Sequence, residues 1–314
     1  MPSFDMPLEE LRKYKPKPTR KSDFSKFWET SLKELKKEPL NAIRKALPSF
    51  TDKVKIYEVR YQGFRGAKVT GRFFVPNKKG KFPVILYLHG YNGPYDARTF
   101  HMMWPLMDVA LLEIHVRGQA GGSVDNTEYS MGAFSGHMTK GINDKEEYYY
   151  RGVHLDSVRA LDYLCKCEEI DSKRIGVVGG SQGGGMTLIT CGLDPRPKVA
   201  IAEVPFLSHF DRAMEICGGG PYTELTNYIC RYPKYEQQIH KTLTYFDTLN
   251  FADRIKCPTL LSVGLMDATC PSSTVFGVYN NLKCKKEIIV NPFSGHDSWM
   301  EIKDRIPEWV LENI

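Results

Sequence analysis

One serine in this chain lies in a pattern that can make its hydroxyl a nucleophile. Residues 174–185 read Arg-Ile-Gly-Val-Val-Gly-Gly-Ser-Gln-Gly-Gly-Gly, a short apolar strand followed by glycines around Ser181. The spacing Gly179-x-Ser181-x-Gly183 is typical of a nucleophile elbow, a sharp strand-to-helix turn that exposes the serine hydroxyl. Glycine suits this turn because the backbone is strained and the next helix passes close to the strand. A Gly-rich turn that merely ends a buried strand is the alternative, but the apolar residues 186–189 favour the elbow.

A serine hydroxyl becomes a good nucleophile when a base, itself held by a third group, removes its proton. In α/β-hydrolases the chain order is Ser, then Asp or Glu, then His, with each residue following a later strand. His296 lies in Pro-Phe-Ser-Gly-His-Asp, just beyond an apolar run at Glu287–Val290. His240 lies in a polar run typical of a surface helix. We therefore predict that His296 is the base.

The acid is predicted by its place after a strand. Asp267 follows the apolar run Thr259–Val263, so it stands at the carboxyl end of the strand before that of the histidine. Asp297 is a rival by adjacency, but a direct neighbour of His296 seldom reaches its Nδ1. Asp253 precedes the strand instead of following it. Asp267 is therefore the predicted acid.

The oxyanion formed during acyl transfer needs two preorganised donors. One donor is predicted to be the backbone N–H of Gln182, the residue after the nucleophile. The other is expected from the loop after an early strand, and Leu-Tyr-Leu-His-Gly-Tyr-Asn-Gly at 86–93 supplies that loop. We predict the Tyr91 amide as the second donor.

Two further features near these loops have competing interpretations. His89 could act as a base, but its position is better suited to bracing the loop. A second glycine loop, residues 116–123, superficially resembles a phosphate cradle but lacks the lysine of a P-loop. We interpret this second loop as structural.

The remaining pattern predicts the sheet that must position these residues. A hairpin is expected at Val54–Tyr61 and Ala67–Val75, joined by a turn at Gly63–Gly66. Short apolar runs, typical of strands covered on both faces, alternate with helical stretches that include 153–165. The runs are Pro83–Leu88, Val109–Val116, Arg174–Val178, Val199–Val204, Thr259–Val263 and Glu287–Val290. This alternation predicts an α/β fold with a doubly wound, mostly parallel sheet.

Two segments depart from the alternation. Residues 1–50 are interpreted as a polar N-terminal extension with a helix near Asp23–Lys37. Residues 206–250 contain a Gly-Gly-Gly-Pro run and many aromatics, and are interpreted as a cap-like insertion over the carboxyl ends of the strands. Residues 1–314 are predicted to form a single domain.

Composition narrows the class of protein and its compartment. The 314 residues are 42% hydrophobic and 25% charged, with a net charge of +6, as in an ordinary globular protein. The chain has no basic stripe interleaved with aromatics, so nucleic-acid binding is not expected. It has no apolar run as long as a membrane helix, so a membrane span is not expected either. The eight cysteines form no C-x-x-C pair and are expected to be mostly reduced. The acidic, proline-containing N-terminus is unlike a signal peptide, so a cytoplasmic location is expected.

Five motifs occur together in this chain, namely Arg117-Gly118-Gln119, Tyr148–Arg151, the elbow at 179–184, Asp267 with Pro271–Phe276, and Gly295-His296. Through them the chain shows a nearly end-to-end resemblance to one family, the acetyl xylan esterases and cephalosporin-C deacetylases of carbohydrate esterase family 7. It implies an α/β-hydrolase fold and a serine deacetylase without a cofactor or metal. The implied substrates are small acetylated carbohydrates such as xylo-oligosaccharides, and often cephalosporin C.

The resemblance also carries over site residues and an assembly. Ser181, Asp267 and His296 match the family's catalytic positions, and the Tyr91 and Gln182 amides match its oxyanion hole. Members typically form hexamers whose active sites face an internal cavity. Two other classes stay open from the residues alone, namely another esterase, lipase or peptidase on this scaffold, and a non-catalytic binding protein that kept it.

Overall fold

The computed structural model describes residues 5–93, 98–119, 121–130, 134–297 and 299–314. Within these ranges the chain forms one nine-stranded sheet. The strands are β1 (Ile43–Leu47), β2 (Val54–Gln62), β3 (Lys68–Pro76), β4 (Phe82–Leu88), β5 (Ala110–Ile114), β6 (Ile170–Gly180), β7 (Pro197–Glu203), β8 (Thr259–Gly264) and β9 (Lys286–Asn291).

Helices surround the sheet and fill the connections between its strands. They are α1 (Leu8–Leu11), α2 (Phe24–Lys37), α3 (Arg98–His101), α4 (Met103–Leu106), α5 (Tyr149–Leu164), α6 (Gln182–Leu193), α7 (Phe210–Ile216), α8 (Tyr222–Arg231), α9 (Glu236–Leu243), α10 (Ser272–Asn281) and α11 (Met300–Asn313). Short 3-10 turns lie at Phe64–Gly66, Pro233–Tyr235, Thr248–Asn250 and Ala252–Arg254.

The strand order is β1-β2-β3-β5-β4-β6-β7-β8-β9. Strands β1 to β3 pair antiparallel, β3 also pairs antiparallel with β5, and the pairs from β5 through β4 to β9 are parallel. The predicted α/β fold, with its mostly parallel sheet and its hairpin of β2 and β3, is therefore confirmed.

One strand was not predicted. Residues 43–47 were interpreted as part of a polar lead, but they form β1, which pairs with β2 at the edge of the sheet. Four of its five residues are exposed and one is half-buried. An exposed edge strand needs no apolar run, so this segment lacked the pattern that predicted the inner strands.

The inner strands are covered on both faces. Successive residues of β4 belong alternately to two separate cores, because side chains along a strand point to opposite faces. Val84, Leu86 and Leu88 belong to the larger core, which includes residues of α2, α5, α6 and α10. Ile85 belongs to the smaller core, with Trp309 and other residues of α11. These two cores explain why the strands read as continuous apolar runs.

The predicted insertion contains α7, α8 and α9 and connects β7 to β8. The described part of the N-terminal extension packs against it. Trp28 of α2 donates a hydrogen bond to the Tyr245 carbonyl at 2.9 Å, and the Tyr14 hydroxyl lies 2.9 Å from Nε2 of His209. Through these contacts the extension holds one side of the insertion.

Two further expectations concerned reduced cysteines and the absence of a membrane helix. All eight cysteines are free thiols. No helix in the described ranges combines the length and the apolar character needed to span a bilayer.

Helix α6 lies unusually close to β4. A Cβ atom built on Gly183 would lie 1.9 Å from the carbonyl oxygen of Leu88, and one on Gly179 would lie 2.5 Å from Gly183. Such distances are far inside van der Waals contact, and the obstructing atoms are backbone. Glycine at these two positions is therefore a packing requirement.

The substitution Gly183→Ala tests this requirement. We expect it to lower the free energy of unfolding by about 2 kcal/mol, because a methyl group forced into a packed interior costs more than alanine's helix preference returns. Urea unfolding followed by circular dichroism measures this change. Gly219→Ala is the matched control, since a Cβ there meets no atom within 4 Å. Equal stability of the two variants would contradict the packing argument.

Candidate active site

Ser181 lies in the one-residue turn between β6 and α6. Its φ is 55° and its ψ is –118°, a conformation that residues other than glycine rarely adopt. The turn is held by backbone hydrogen bonds, since the Ser181 N–H donates to the Glu203 carbonyl at 2.8 Å and the Phe206 N–H donates to the Ser181 carbonyl at 2.9 Å. This strained turn presents the hydroxyl beyond the end of the sheet.

His296 and Asp267 complete a chain of hydrogen bonds that starts at this hydroxyl. Nε2 of His296 lies 2.9 Å from Oγ of Ser181, and Nδ1 lies 2.8 Å from Oδ2 of Asp267. A carboxylate can only accept, so Nδ1 carries the proton and Nε2 is free to accept from the serine hydroxyl. This is the tautomer that a general base at Nε2 requires.

The Asp267 carboxylate is held firmly. Its side chain is 1% exposed, and Oδ1 accepts hydrogen bonds from the backbone N–H groups of Thr269 and Cys270, both at 2.8 Å. The insertion supports the same loop, because the Gly218 N–H donates to the Ala268 carbonyl at 2.9 Å. The carboxylate is therefore fixed toward His296 without depending on the solvent.

Asp267, Cys270 and His296 offer three possible metal-ligand atoms within 4.8 Å of one another. Both ring nitrogens of His296 and both carboxylate oxygens of Asp267 are already used in the hydrogen bonds described above. Hydrogen bonding alone accounts for this arrangement.

Two backbone amides have the setting of an oxyanion hole. Gln182 is the first residue of α6, and the first amides of a helix lack an acceptor within the helix. Tyr91 is the second residue of a turn closed by a 3.0 Å hydrogen bond from the Gly93 N–H to the Gly90 carbonyl. Among the residues that the structure describes, none accepts a hydrogen bond from either amide.

The side chains of Gln119 and Gln182 form a reciprocal amide pair. Nε2 of Gln119 donates to Oε1 of Gln182 at 2.8 Å, and Nε2 of Gln182 donates to Oε1 of Gln119 at 3.0 Å. The Asn92 N–H also donates to Oε1 of Gln119, at 2.9 Å. The Tyr150 hydroxyl donates to Oε1 of Gln182 at 2.9 Å.

The loop that carries Gln119 is anchored by a buried ion pair. The Arg117 guanidinium makes two hydrogen bonds to the Asp156 carboxylate, at 2.7 and 2.6 Å, and the two side chains are 1% and 4% exposed. Burial disfavours the charge on the guanidinium and by itself would lower the pKa of Arg117. The attraction of the Asp156 carboxylate is larger than this effect, so the pKa of Arg117 is raised. This agrees with the structural interpretation of the second glycine loop, of which Ala120 lies outside the described residues.

The insertion contacts the turn after β4 through the Tyr91 side chain. The Tyr91 hydroxyl donates to Oε1 of Glu224 in α8 at 2.7 Å, and it accepts from the His137 N–H at 2.6 Å. The Met138 N–H donates to the other carboxylate oxygen at 3.0 Å. Burial raises the pKa of Glu224 and of Tyr91, and it lowers the pKa of His137 to about 4.

The rival residues considered from the sequence lie in other interactions. His240 pairs with Asp211 at 2.6 Å, and Asp253 pairs with Arg20 at 2.9 Å. His89 accepts at Nε2 from the Val116 N–H at 2.9 Å, with Nδ1 2.7 Å from the Gly90 carbonyl. Its ring is held as a neutral brace between two loops.

Sequence reasoning named Gln119 and Tyr150 only within motifs of the family resemblance, and it assigned neither them nor Glu224 to this site. Gln119 had a readable signal, because it follows the carboxyl end of β5, which lies beside β4 in the sheet. Glu224 had none, since it belongs to an insertion whose position over the sheet is decided by packing.

The sheet order, the strained serine turn and the Ser-His-Asp geometry define the chain as an α/β-hydrolase. A family model described as acetyl xylan esterase matches residues 1–313. Acetyl esterase Axe7A of Xylanibacter ruminicola is 30% identical over 308 residues, which cover 96% of this chain and 69% of that protein. The chain therefore belongs to the acetyl xylan esterase family, a family of carboxylic ester hydrolases, as the sequence motifs predicted.

Two solved structures are similar over their whole length. The acetyl xylan esterase from Paenibacillus sp. R4 has a TM-score of 0.96 and 40% identity, covering 98% of this chain and 100% of that one. Acetyl xylan esterase 1 from Thermoanaerobacterium sp. JW/SL YS485 has a TM-score of 0.94 and 32% identity, covering 98% and 99%.

The buried ion pair makes a prediction about stability. Asp156→Asn should lower the free energy of unfolding by about 3 kcal/mol or more, because it leaves the Arg117 charge buried without its partner. Thermal and urea unfolding measure this loss. Asp171→Asn is the matched control, since it breaks an ion pair with the exposed side chain of Arg174, and such pairs contribute about 1 kcal/mol at most. A similar loss in both variants would contradict the role assigned to burial.

Proposed function

We propose that this protein is a serine esterase that removes acetyl groups from small acetylated carbohydrates. The observation that carries the proposal is the continuous hydrogen-bonded chain from Ser181 through His296 to Asp267. It is accompanied by the backbone amides of Tyr91 and Gln182, for which no residue in the described ranges is an acceptor. Membership of the acetyl xylan esterase family supports the acetyl group as the acyl part.

The proposed reaction has two acyl-transfer steps. His296 Nε2 takes the proton from the Ser181 hydroxyl as Oγ attacks the acetyl carbonyl carbon, and the Tyr91 and Gln182 amides stabilise the resulting oxyanion. Collapse breaks the ester bond, and the sugar hydroxyl leaves with the proton from His296. Water, deprotonated by His296, then attacks the acetyl-serine, which releases acetate and restores Ser181. Asp267 stabilises the imidazolium in both steps.

The alcohol part of the substrate is proposed from the relatives. These relatives are named as an acetyl esterase and two acetyl xylan esterases, which supports acetylated xylo-oligosaccharides as substrates. Because the sequence motifs also resemble those of cephalosporin-C deacetylases, we extend the proposal to removal of the acetyl group of cephalosporin C. A single domain, assembly into hexamers and a cytoplasmic location stay predictions from the sequence and the resemblance.

The substitution Ser181→Ala should abolish hydrolysis of 4-nitrophenyl acetate and labelling by a serine-directed fluorophosphonate, because both require the same nucleophile. Ser172→Ala is the matched control, since Ser172 is exposed at the start of β6. Retention of most activity by Ser181→Ala would refute the serine mechanism. Faster hydrolysis of octanoyl than of acetyl esters by the unaltered enzyme would refute acetyl specificity. The rates of hydrolysis of acetylated xylo-oligosaccharides, glucose acetates and cephalosporin C then rank the alcohol parts of the substrate by preference.

The substitution Asp267→Asn tests the assigned acid. An amide at this position no longer holds the imidazole in the required tautomer, so we expect kcat to fall by roughly 10⁴-fold with little change in KM. Asp297→Asn, next to His296 and exposed, should leave kcat within about twofold. If the Asp297 variant lost more activity than the Asp267 variant, the acid would be assigned wrongly. Steady-state kinetics on 4-nitrophenyl acetate measures both.

A further inference from the structure

The two proposed oxyanion donors belong to different elements. Gln182 begins α6, and Tyr91 lies in the turn after β4. An oxyanion hole works only when both N–H groups point at one position about 3 Å away. Some interaction must therefore hold the turn and the helix start at a constant separation.

The side chain of Gln119 connects these two elements. Its Oε1 accepts from Nε2 of Gln182 at 3.0 Å and from the Asn92 N–H at 2.9 Å. One oxygen atom thus contacts both elements. It binds Gln182, whose backbone N–H is one proposed donor, and Asn92, the neighbour of Tyr91, whose N–H is the other. Asn92 has a φ of 50°, a conformation that asparagine tolerates better than most residues.

The amide of Gln119 is also saturated and can take only one orientation. Its Nε2 donates to Oε1 of Gln182 at 2.8 Å and lies 3.1 Å from the Tyr149 hydroxyl. With two acceptor contacts at Oε1 and two contacts at Nε2, every hydrogen-bonding position of the side chain is used. Flipping the amide would place its NH₂ group against the Asn92 N–H, two donors facing each other. The network therefore fixes the direction of every bond.

The side-chain partners of Gln119 are buried. Gln182 is fully buried, and its Oε1 also accepts from the Tyr150 hydroxyl. The Tyr149 hydroxyl donates to the Arg117 carbonyl, and the Arg117 side chain pairs with buried Asp156. On the side of Gln182 the bridge therefore rests on buried groups, several of them in α5.

We infer that Gln119 is a positioning residue that sets the separation of the two oxyanion donors and thereby the rate of acyl transfer. This inference rests on the proposed function. Gln119 acts through Gln182 and Asn92, without contacting the substrate. Its removal should weaken stabilisation of the transition state while leaving ground-state binding of the ester nearly unchanged.

The first test replaces the amide with an apolar group of similar size. We expect Gln119→Leu to lower kcat on 4-nitrophenyl acetate by roughly 10- to 100-fold, with KM within about twofold. A displaced oxyanion donor should reduce the rate about as much as a small misplacement of the reacting groups does. Gln238→Leu is the matched control at an exposed position of α9, and it should retain full activity.

The second test separates positioning from mere packing. A trifluoromethyl ketone forms a hemiketal oxyanion on a serine enzyme, so its inhibition constant reports the oxyanion hole directly. In Gln119→Leu this constant should rise by the same factor by which kcat/KM falls. Gln119→Glu keeps the acceptor for Asn92 and Gln182, but it sets a carboxylate oxygen against Oε1 of Gln182 and adds a negative charge near the proposed donors. Its kcat/KM should therefore fall, and its ketone inhibition constant should rise by the same factor.

The third test asks whether Gln119 acts through Gln182. In a double-mutant cycle, Gln182→Leu should cost less than Gln119→Leu, because the bond to Asn92 survives, and the double variant should lose little more than Gln119→Leu alone. If Gln119→Leu does not fold, Gln119→Glu takes its place as the test, with the same requirement that its ketone inhibition constant rise by the factor by which its kcat/KM falls.

The outcomes distinguish this inference from the proposed function. Wild-type kcat and unchanged ketone inhibition in the Gln119 variants, with Ser181→Ala inactive, would overturn the positioning role alone. A fall in kcat with unchanged ketone inhibition would also overturn it. Activity remaining in Ser181→Ala would overturn the proposed function itself.

Discussion

The arrangement of this site depends on how closely α6 approaches the carboxyl end of β4. Two glycines make that approach possible, since a Cβ at Gly183 would meet the Leu88 carbonyl and one at Gly179 would meet Gly183 itself. Because the helix lies so near, the chain must turn within the single residue Ser181, which takes a strained backbone conformation. The strain is offset by the packing of an almost wholly buried helix. One contact thus places the proposed nucleophile and the Gln182 amide at the same edge.

The insertion between β7 and β8 supports both halves of the site. On one side Glu224 holds the Tyr91 hydroxyl, and on the other the Gly218 amide holds the loop after Asp267. The insertion therefore contacts both the loop of the proposed acid and the residue that carries one proposed oxyanion donor. A substitution at either contact would consequently affect the geometry of the proposed site.

Much of the fold could be predicted because the inner strands are buried on both faces and read as apolar runs, as β4 does with its side chains in two cores. Strand β1 could not, because its residues face solvent at a sheet edge. The site followed from chain order, since Ser181, Asp267 and His296 each lie just after a strand and the carboxyl ends of parallel strands share one edge. Their catalytic roles remain predictions.

By itself, the sequence determined the fold class, the family, and which serine, acid and histidine lie at one edge of the sheet. Those features follow from local patterns of apolar residues, glycines and loops after strands. Only the tertiary structure decided which buried polar groups meet. Gln119 and Gln182 are 63 positions apart, and Tyr91 and Glu224 are 133 apart. Such pairs form because buried donors and acceptors must be satisfied wherever packing brings them, and no local pattern specifies that place.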